Sequence, residues 1–501
     1  MGRLIILAID GMDRDLISRF GKSLPTLEGI DSMSPKISLE SVFPPDSETA
    51  WASVYTGLDP AKHGVVHFLD PLEKSLLYQS KDSDSENFRG NTFWDIAGKD
   101  GIKVCILLPH IGYPIWHVNG VMIGRSSIRN DVQIYPPDKW NDFDYNNLNT
   151  IKGFPGRGGL SHQEFVRRHE ILLESTAELS NRAMNEQWDL IFVYSSILDV
   201  VPHFFWKFFD RTDPYYRPGN SYENIIKHFY ELHDHFIGNI FSQMNKDDIL
   251  MILSDHGHGR RPIKNININQ LLHLKGCINL KQDNSAASPM KEYVRREMLK
   301  LAAKYNLENF GAKFLKHIPS LRESYLKSST IDWRNTIACT SDLSGIKSYS
   351  YGGIRINRKL IGDENVYNKL LDEIIKMLLD IQEPHTNRKI VNWAIRREEL
   401  YTGPYIDRYP DIVLELLEDY GIGNRVKAPI IEDSNSHGIV PGSHRRYSPV
   451  FYMIGQGLEV NRRKMSLVDV SPTIMDILGI PIYGHDFDGE SILRRSDNIA
   501  I

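Results

Sequence analysis

The chain is 501 residues long, with 41% apolar and 25% charged residues and a formal charge of −5 from 59 basic and 64 acidic side chains. That length suits one large α/β domain with insertions or two to three smaller domains, and the composition excludes global disorder. So small an imbalance excludes a bulk nucleic-acid coat or a polybasic membrane binder, and any anionic partner must be met by a local site.

Near the start, Leu4 to Ile9 is apolar and stops at Asp10, too short for a signal peptide. Gly2 follows Met1, but Ile6 stands where a myristoylation signal needs Ser or Thr. Further apolar runs follow: Val104 to Leu108 before Pro109-His110, Leu190 to Tyr194 before Ser195-Ser196, Ile249 to Leu253 before Ser254-Asp255-His256-Gly257, and Val450 to Ile454 before Gly455. Short runs without alternation read as strands buried on both faces. Helical patterns lie between them, over Glu164 to Glu186 and Tyr222 to Met244. The alternation predicts an α/β fold with a mostly parallel central sheet covered by helices on both faces. Ligands of such sheets bind beyond the carboxyl ends of the strands, where these polar residues fall.

From 265 to 330 the pattern changes, and Lys291 to Lys327 looks helical and basic, with nine Lys or Arg against four Glu. The expected organisation is a core of 1–264 and 331–501 with an inserted, largely helical cap at 265–330. Asp332 to Leu417 returns to α/β material around an amphipathic helix at Tyr367 to Gln382. The scattered Cys105, Cys277 and Cys339 form neither a disulfide framework nor a CxxC pair and fit a reducing compartment. No run reaches about 18 apolar residues, so no transmembrane helix is expected and the chain is read as cytoplasmic.

The chemistry concentrates in a few places. Pro44-Pro45 precede a helix start that Asp46 or Ser47 can cap and Gly57 can end, which puts the Ser47 hydroxyl at a helix N-terminus, where an anion or alkoxide is favoured. Asp10 and Asp255-His256 each close a strand; Asp199 and His203 are four apart, with Pro202 expected to break the segment between them; His444 sits in Pro-Gly-Ser-His-Arg. Carboxylates with imidazoles and no thiolate suit divalent zinc or manganese.

On these residues the chain resembles the alkaline-phosphatase superfamily, and within it the type I phosphodiesterase and nucleotide-pyrophosphatase-like branch. Thr56-Gly57 and His63-Gly64 match the family's markers, and nine residues before Thr56 stands Ser47, the nucleophile by that spacing, with Thr49 as the other candidate. Gly442-Ser443-His444 matches the late Gly-x-His, preferred over His437 in Ser-His-Gly. The stretch Asp469 to Thr473 and Asp488-Gly489 match the closing segments, and Asp332-Trp333, Gly352 to Asn357, Arg396 to Glu398 and Tyr409 to Asp411 resemble uncharacterised members. Two departures matter. Ala50 replaces the Asn that nucleotide pyrophosphatases carry three residues after the nucleophile, and the nucleophile of this branch is often Thr, with Thr49 two residues beyond Ser47. The sulfatase branch does not fit, since Ser47-Glu48-Thr49-Ala50-Trp51 lacks its Pro and Arg.

The resemblance implies two divalent metal ions, zinc or manganese. Asp10, Asp255 and His256 would hold one with Ser47 at its open position, and Asp199, His203 and His444 the other. Ser47 would attack phosphorus and form a phosphoseryl intermediate. The implied substrate is a small phosphodiester or phosphoanhydride; a phosphomutase, phosphotransferase or phosphomonoesterase on the same site is the alternative. Arg125, Lys62, Arg445 and His258 are candidates for touching substrate. Nucleic acid would be met only through the basic insertion, and no membrane partner is expected.

Overall fold

The computed structural model describes residues 2–68, 85–126, 131–149, 155, 160–281, 331–343 and 348–494. A seven-stranded sheet runs through the larger part, in the spatial order Phe451–Ile454, Ile249–Leu253, Leu4–Ile9, Leu190–Ser195, Val104–Leu107, Gly120–Arg125 and Val132–Tyr135. The five inner strands are parallel, and both outer strands run antiparallel to their neighbours. The expected mostly parallel sheet is therefore present. One reading of its edge changes, because Phe451–Ile454 runs backwards along Ile249–Leu253 and carries Gly455 to the edge opposite Asp10. Apolar content reports burial but not strand direction.

The first strand shows why the run is unbroken. Ile5, Leu7 and Ile9 enter the core on one face, and Leu4, Ile6 and Ala8 enter the core on the other. The first face is covered by the helices Pro25–Met33, His162–Met184, Ile197–Phe209 and Ile225–Ser242. The second is covered by Ser47–Thr56, Phe93–Lys99 and Val470–Ile477. Burial on both faces leaves only the strand ends free to carry polar side chains.

A smaller antiparallel sheet of four strands orders Ala338–Ser341, Tyr351–Ile356, Ile412–Leu416 and Val391–Arg396. The helix Glu364–Leu379 packs Tyr367, Leu371, Ile374 and Leu378 into its core. It begins three residues before the sequence expectation because Asp363 accepts hydrogen bonds from the Asn365 and Val366 amides. Residues 264–274 form a strand and a short helix that contribute to the same core. The helical pattern of Lys291 to Lys327 lies outside the described residues. Among the described residues, no helix is long and apolar enough to cross a membrane, and the three cysteines are buried and free.

Several histidines are held neutral by burial. It lowers His63 to about 3 and both His169 and His233 to about 4. Each folded value lies below the unfolded one near 6.5, so the unfolded chain binds the extra proton and stability falls as pH drops from about 6.5 towards about 4, by up to ~1.4 kcal/mol per pH unit for each group. Thermal unfolding followed from pH 7 to pH 4 should show this decline. His233→Gln should flatten it, and an unchanged slope in that variant would remove His233 from the account.

Candidate metal centre and active site

The first strand hands its chain directly to the site. Asp10 follows Ile9, and its amide donates to the Ser195 carbonyl at the end of the neighbouring strand. Gly11 comes next at φ +67, where a Cβ would meet the Asp199 Cα at 2.7 Å. Only glycine fits both that backbone and that approach. Asp199 itself lies in the first turn of the helix Ile197–Phe209, with His203 one turn later on the same face. The helix passes through Pro202 unbroken, contrary to the sequence expectation. Pro202 forfeits one early backbone hydrogen bond, and packing of the apolar face outweighs that loss.

Ser47 opens the helix Ser47–Thr56, with Asp46 at the N-cap and Gly57 at φ +67 ending it. Asp255 and His256 follow the strand Ile249–Leu253, and His444 lies on Gly442–Arg445, which pairs antiparallel with Gly257–Arg260.

These elements bring the seven predicted centre residues together. Asp10, Asp255 and His256 form one cluster of three donor atoms within 4.8 Å. His256 Nε2 stands 3.5 Å from Asp10 Oδ1 and 3.2 Å from Asp255 Oδ2. The Ser47 hydroxyl lies 3.3 Å from Asp10 Oδ1 and 3.1 Å from His256 Nε2. In the second cluster, Asp199 Oδ1 is 3.1 Å from His203 Nε2 and 3.4 Å from His444 Nε2, and the two imidazole nitrogens are 3.0 Å apart. The clusters adjoin, since His256 and His444 stack at 3.9 Å. Thr49 is buried, and its hydroxyl has no hydrogen-bond partner, so among the two candidates Ser47 is the one in contact with these groups. His437 stands apart from the clusters, with Nε2 2.9 Å from Asp213 Oδ2 and its ring stacked on Tyr215.

The outer contacts fix which atoms face inward. Asp10 Oδ2 accepts from the Trp51 indole at 3.0 Å and the Tyr194 hydroxyl at 2.5 Å, leaving Oδ1 for the cluster. The Tyr194 oxygen lies 3.0 Å from His110 Nδ1. Asp255 Oδ1 accepts from the Gly11 amide, and Oδ2 has no hydrogen-bond partner. Nδ1 of His203, His256 and His444 each faces a backbone carbonyl, of Gly442, Gly257 and Pro45, at 2.8–3.0 Å. A carbonyl only accepts, so each Nδ1 carries a proton and each ring turns its Nε2 inward. The Gly442 carbonyl also accepts from the buried Arg261 guanidinium at 2.6 Å, which donates as well to Ser348 beside the smaller sheet.

This donor set fits divalent cations. Donors about 2.1 Å from an ion stand ~3.0–3.4 Å from one another in octahedral or tetrahedral geometry, and the donor separations quoted above run from 3.0 to 3.5 Å. Burial, then repulsion from Asp255 and Asp199, raises Asp10 well above the usual carboxylate range. Burial, followed by Asp199, does the same to Asp255. Burial works against ionised Asp199, but His203, His258 and His444 together hold that carboxyl well below the usual range. Burial and the neighbouring His256 keep His444 neutral. Opposed carboxylates and lone pairs without water are costly unless positive charge neutralises them.

The nominated cations are engaged elsewhere. Arg125 donates to the Leu148 carbonyl and lies near Ser196, Lys62 pairs with Asp488 at 2.5 Å, and Arg445 pairs with Asp15 and Glu418 at 3.0 Å. His258, by contrast, reaches the second cluster, with Nδ1 3.5 Å from Asp199 Oδ1. Sequence reasoning passed over Trp51, Tyr194 and His110. Trp51 carried a signal, being one helical turn from Ser47; Tyr194 reads in sequence as the apolar end of a strand.

The family model described as type I phosphodiesterase / nucleotide pyrophosphatase matches residues 4–439. No curated protein sequence matches the chain. Among solved structures, murine ectonucleotide pyrophosphatase / phosphodiesterase 5 is similar at 13% identity and a TM-score of 0.52, with 97% of each chain covered. Phosphonoacetate hydrolase from Sinorhizobium meliloti 1021, in complex with phosphonoformate, is similar at 14% identity and a TM-score of 0.55, with 95% of each chain covered. An inactive variant of the murine protein in complex with AMP gives 13% identity and a TM-score of 0.51, with 97% of each chain covered. At these identities the likeness is one of fold.

The contact between Tyr194 and Asp10 predicts that Tyr194→Phe lowers affinity for zinc by about 10–100-fold, the usual cost of losing a group that orients a ligand, with the melting temperature little changed. Competition with a chromogenic chelator measures this, and native affinity in the variant would assign the hydroxyl to packing alone.

Proposed function

The chain belongs to the type I phosphodiesterase / nucleotide pyrophosphatase family, and on that premise we propose that it is a metal-dependent phosphohydrolase that cleaves a small phosphodiester or phosphoanhydride through a phosphoserine on Ser47. The observation that carries this reading is the position of the Ser47 hydroxyl, at a helix start and 3.1–3.3 Å from His256 and Asp10. Asp10, Asp255 and His256 would hold one divalent cation beside Ser47, and Asp199, His203 and His444 a second, with zinc or manganese suiting the donors. Bound there, the cations would lower the pKa of the serine hydroxyl and neutralise charge on the attacking and leaving oxygens.

Ser47 then loses its proton to solvent, its oxygen bonds to phosphorus in line, and the bond from phosphorus to the leaving oxygen breaks. The helix N-terminus, whose first amides lack intrahelical partners, favours the alkoxide and the phosphoryl oxygens. Water attacks the phosphoserine from the vacated side, the bond to Ser47 breaks, and the serine regains a proton. Trp51, Tyr194 and Gly11 keep Asp10 and Asp255 aimed throughout.

A singly charged diester or an anhydride is favoured over a dianionic monoester because Arg125, Lys62 and Arg445 are each occupied by other partners. AMP and phosphonoformate, held by the two similar proteins, support a small anionic phosphorus compound as substrate. Three buried free thiols support a cytoplasmic location.

Metal-stripped protein refilled with zinc or manganese should hydrolyse bis-p-nitrophenyl phosphate faster than p-nitrophenyl phosphate. Ser47→Ala should lose at least about a thousandfold in rate, the scale on which removed nucleophiles act, while Thr49→Val keeps most activity. Full activity in Ser47→Ala would move the nucleophile to Thr49. Preference for the monoester, or transfer of phosphate to an added alcohol, would replace the diesterase reading.

A further inference from the structure

We propose that His258 is a further ligand of the Asp199 cluster, so that the second cation position is built from one carboxylate and three imidazoles and selects a zinc-type cation over magnesium. The inference rests on the two-cation reading above and concerns a histidine that reading does not use.

Three independent features point His258 into the cluster. It lies directly opposite His444 in the antiparallel pair Gly257–Arg260 and Gly442–Arg445. Residues facing each other across such a pair present their side chains to the same side, and His444 already reaches Asp199. Its Nδ1 stands 3.5 Å from Asp199 Oδ1, and these two atoms form a group with His203 whose members lie within 4.8 Å. Its ring is wholly buried, yet neither nitrogen has a hydrogen-bond partner. Buried polar groups are almost always satisfied, and an exception calls for a ligand or ion.

The surroundings hold that ring in place. His203 meets it edge-on at 4.6 Å, Trp206 packs against it at 5.8 Å, and a Cβ on Gly442 would come within 2.5 Å of its Nε2. Gly442 thus keeps open the space that the imidazole needs. Unlike the other three histidines of the site, His258 has no carbonyl to orient it; packing alone aims it. Imidazole-rich sets suit zinc and its transition-metal neighbours, whereas magnesium prefers oxygen and water. Four protein donors also fill a tetrahedron, so water or substrate would enter as a fifth ligand.

The test loads metal-stripped native chain with Co2+ and reads stoichiometry, stepwise affinity against a chelator, and the visible spectrum. Native chain should bind about two equivalents. His258→Phe, and His258→Gln as a second variant should the first not fold, should still bind two. The weaker-bound or spectrally altered equivalent should lose about 10–100-fold in affinity, with the other unchanged. Magnesium should compete better in the variants than in the native chain. Native stoichiometry below two defeats the two-cation reading and this inference with it. Two equivalents in the native chain, with affinity and spectrum unaltered in a folded variant, defeat the role of His258 alone.

Discussion

The structure depends on confining three carboxylates, Asp10, Asp199 and Asp255, with three inward-facing imidazoles where little water reaches. Like charges so placed repel, and hydrogen bonds repay their desolvation only in part, since Asp199 Oδ1 and Asp255 Oδ2 have none. Every neighbouring element serves to hold that arrangement against its own repulsion. Strand ends supply the acids, a helix supplies Asp199 and His203 on one face, and backbone carbonyls lock three rings by their Nδ1 protons. A fold that keeps such a set ordered is poised for cations, and family membership gives that poise a chemistry.

Two glycines set how closely the parts approach. Gly11 brings the first strand's end against the backbone of Asp199, and Gly442 brings the two-stranded ribbon against the helix that bears His203. Main-chain contact thus defines the spacing between the clusters. Side-chain rotamers then need only finish the aim, which second contacts such as Trp51 and Tyr194 on Asp10 accomplish.

Much of this was legible in the sequence. Asp10, Asp255 and His256 follow apolar runs, so their place at the carboxyl ends of parallel strands follows from burial. Asp199 and His203 are one helical turn apart, and Ser47 follows two prolines. What escaped depends on tertiary partners. Apolar content cannot report that Phe451–Ile454 runs antiparallel. The hydroxyl of Tyr194 and the indole N–H of Trp51 sit on residues that are otherwise core. Free-looking cations such as Lys62 prove committed only when Asp488 arrives from the far end of the chain. Pro202 reads locally as a breaker, but a buried face carries the helix past it.

The carbonyl of Gly442 is shared between the Arg261 guanidinium and His203 Nδ1–H. One carbonyl accepting from both groups fixes the plane of the guanidinium and the tilt of the imidazole together. His203 is thereby tilted by the same oxygen that seats the buried Arg261. Because Arg261 also bonds Ser348 beside the smaller sheet, the orientation of one imidazole of the centre is anchored in a remote layer of the fold.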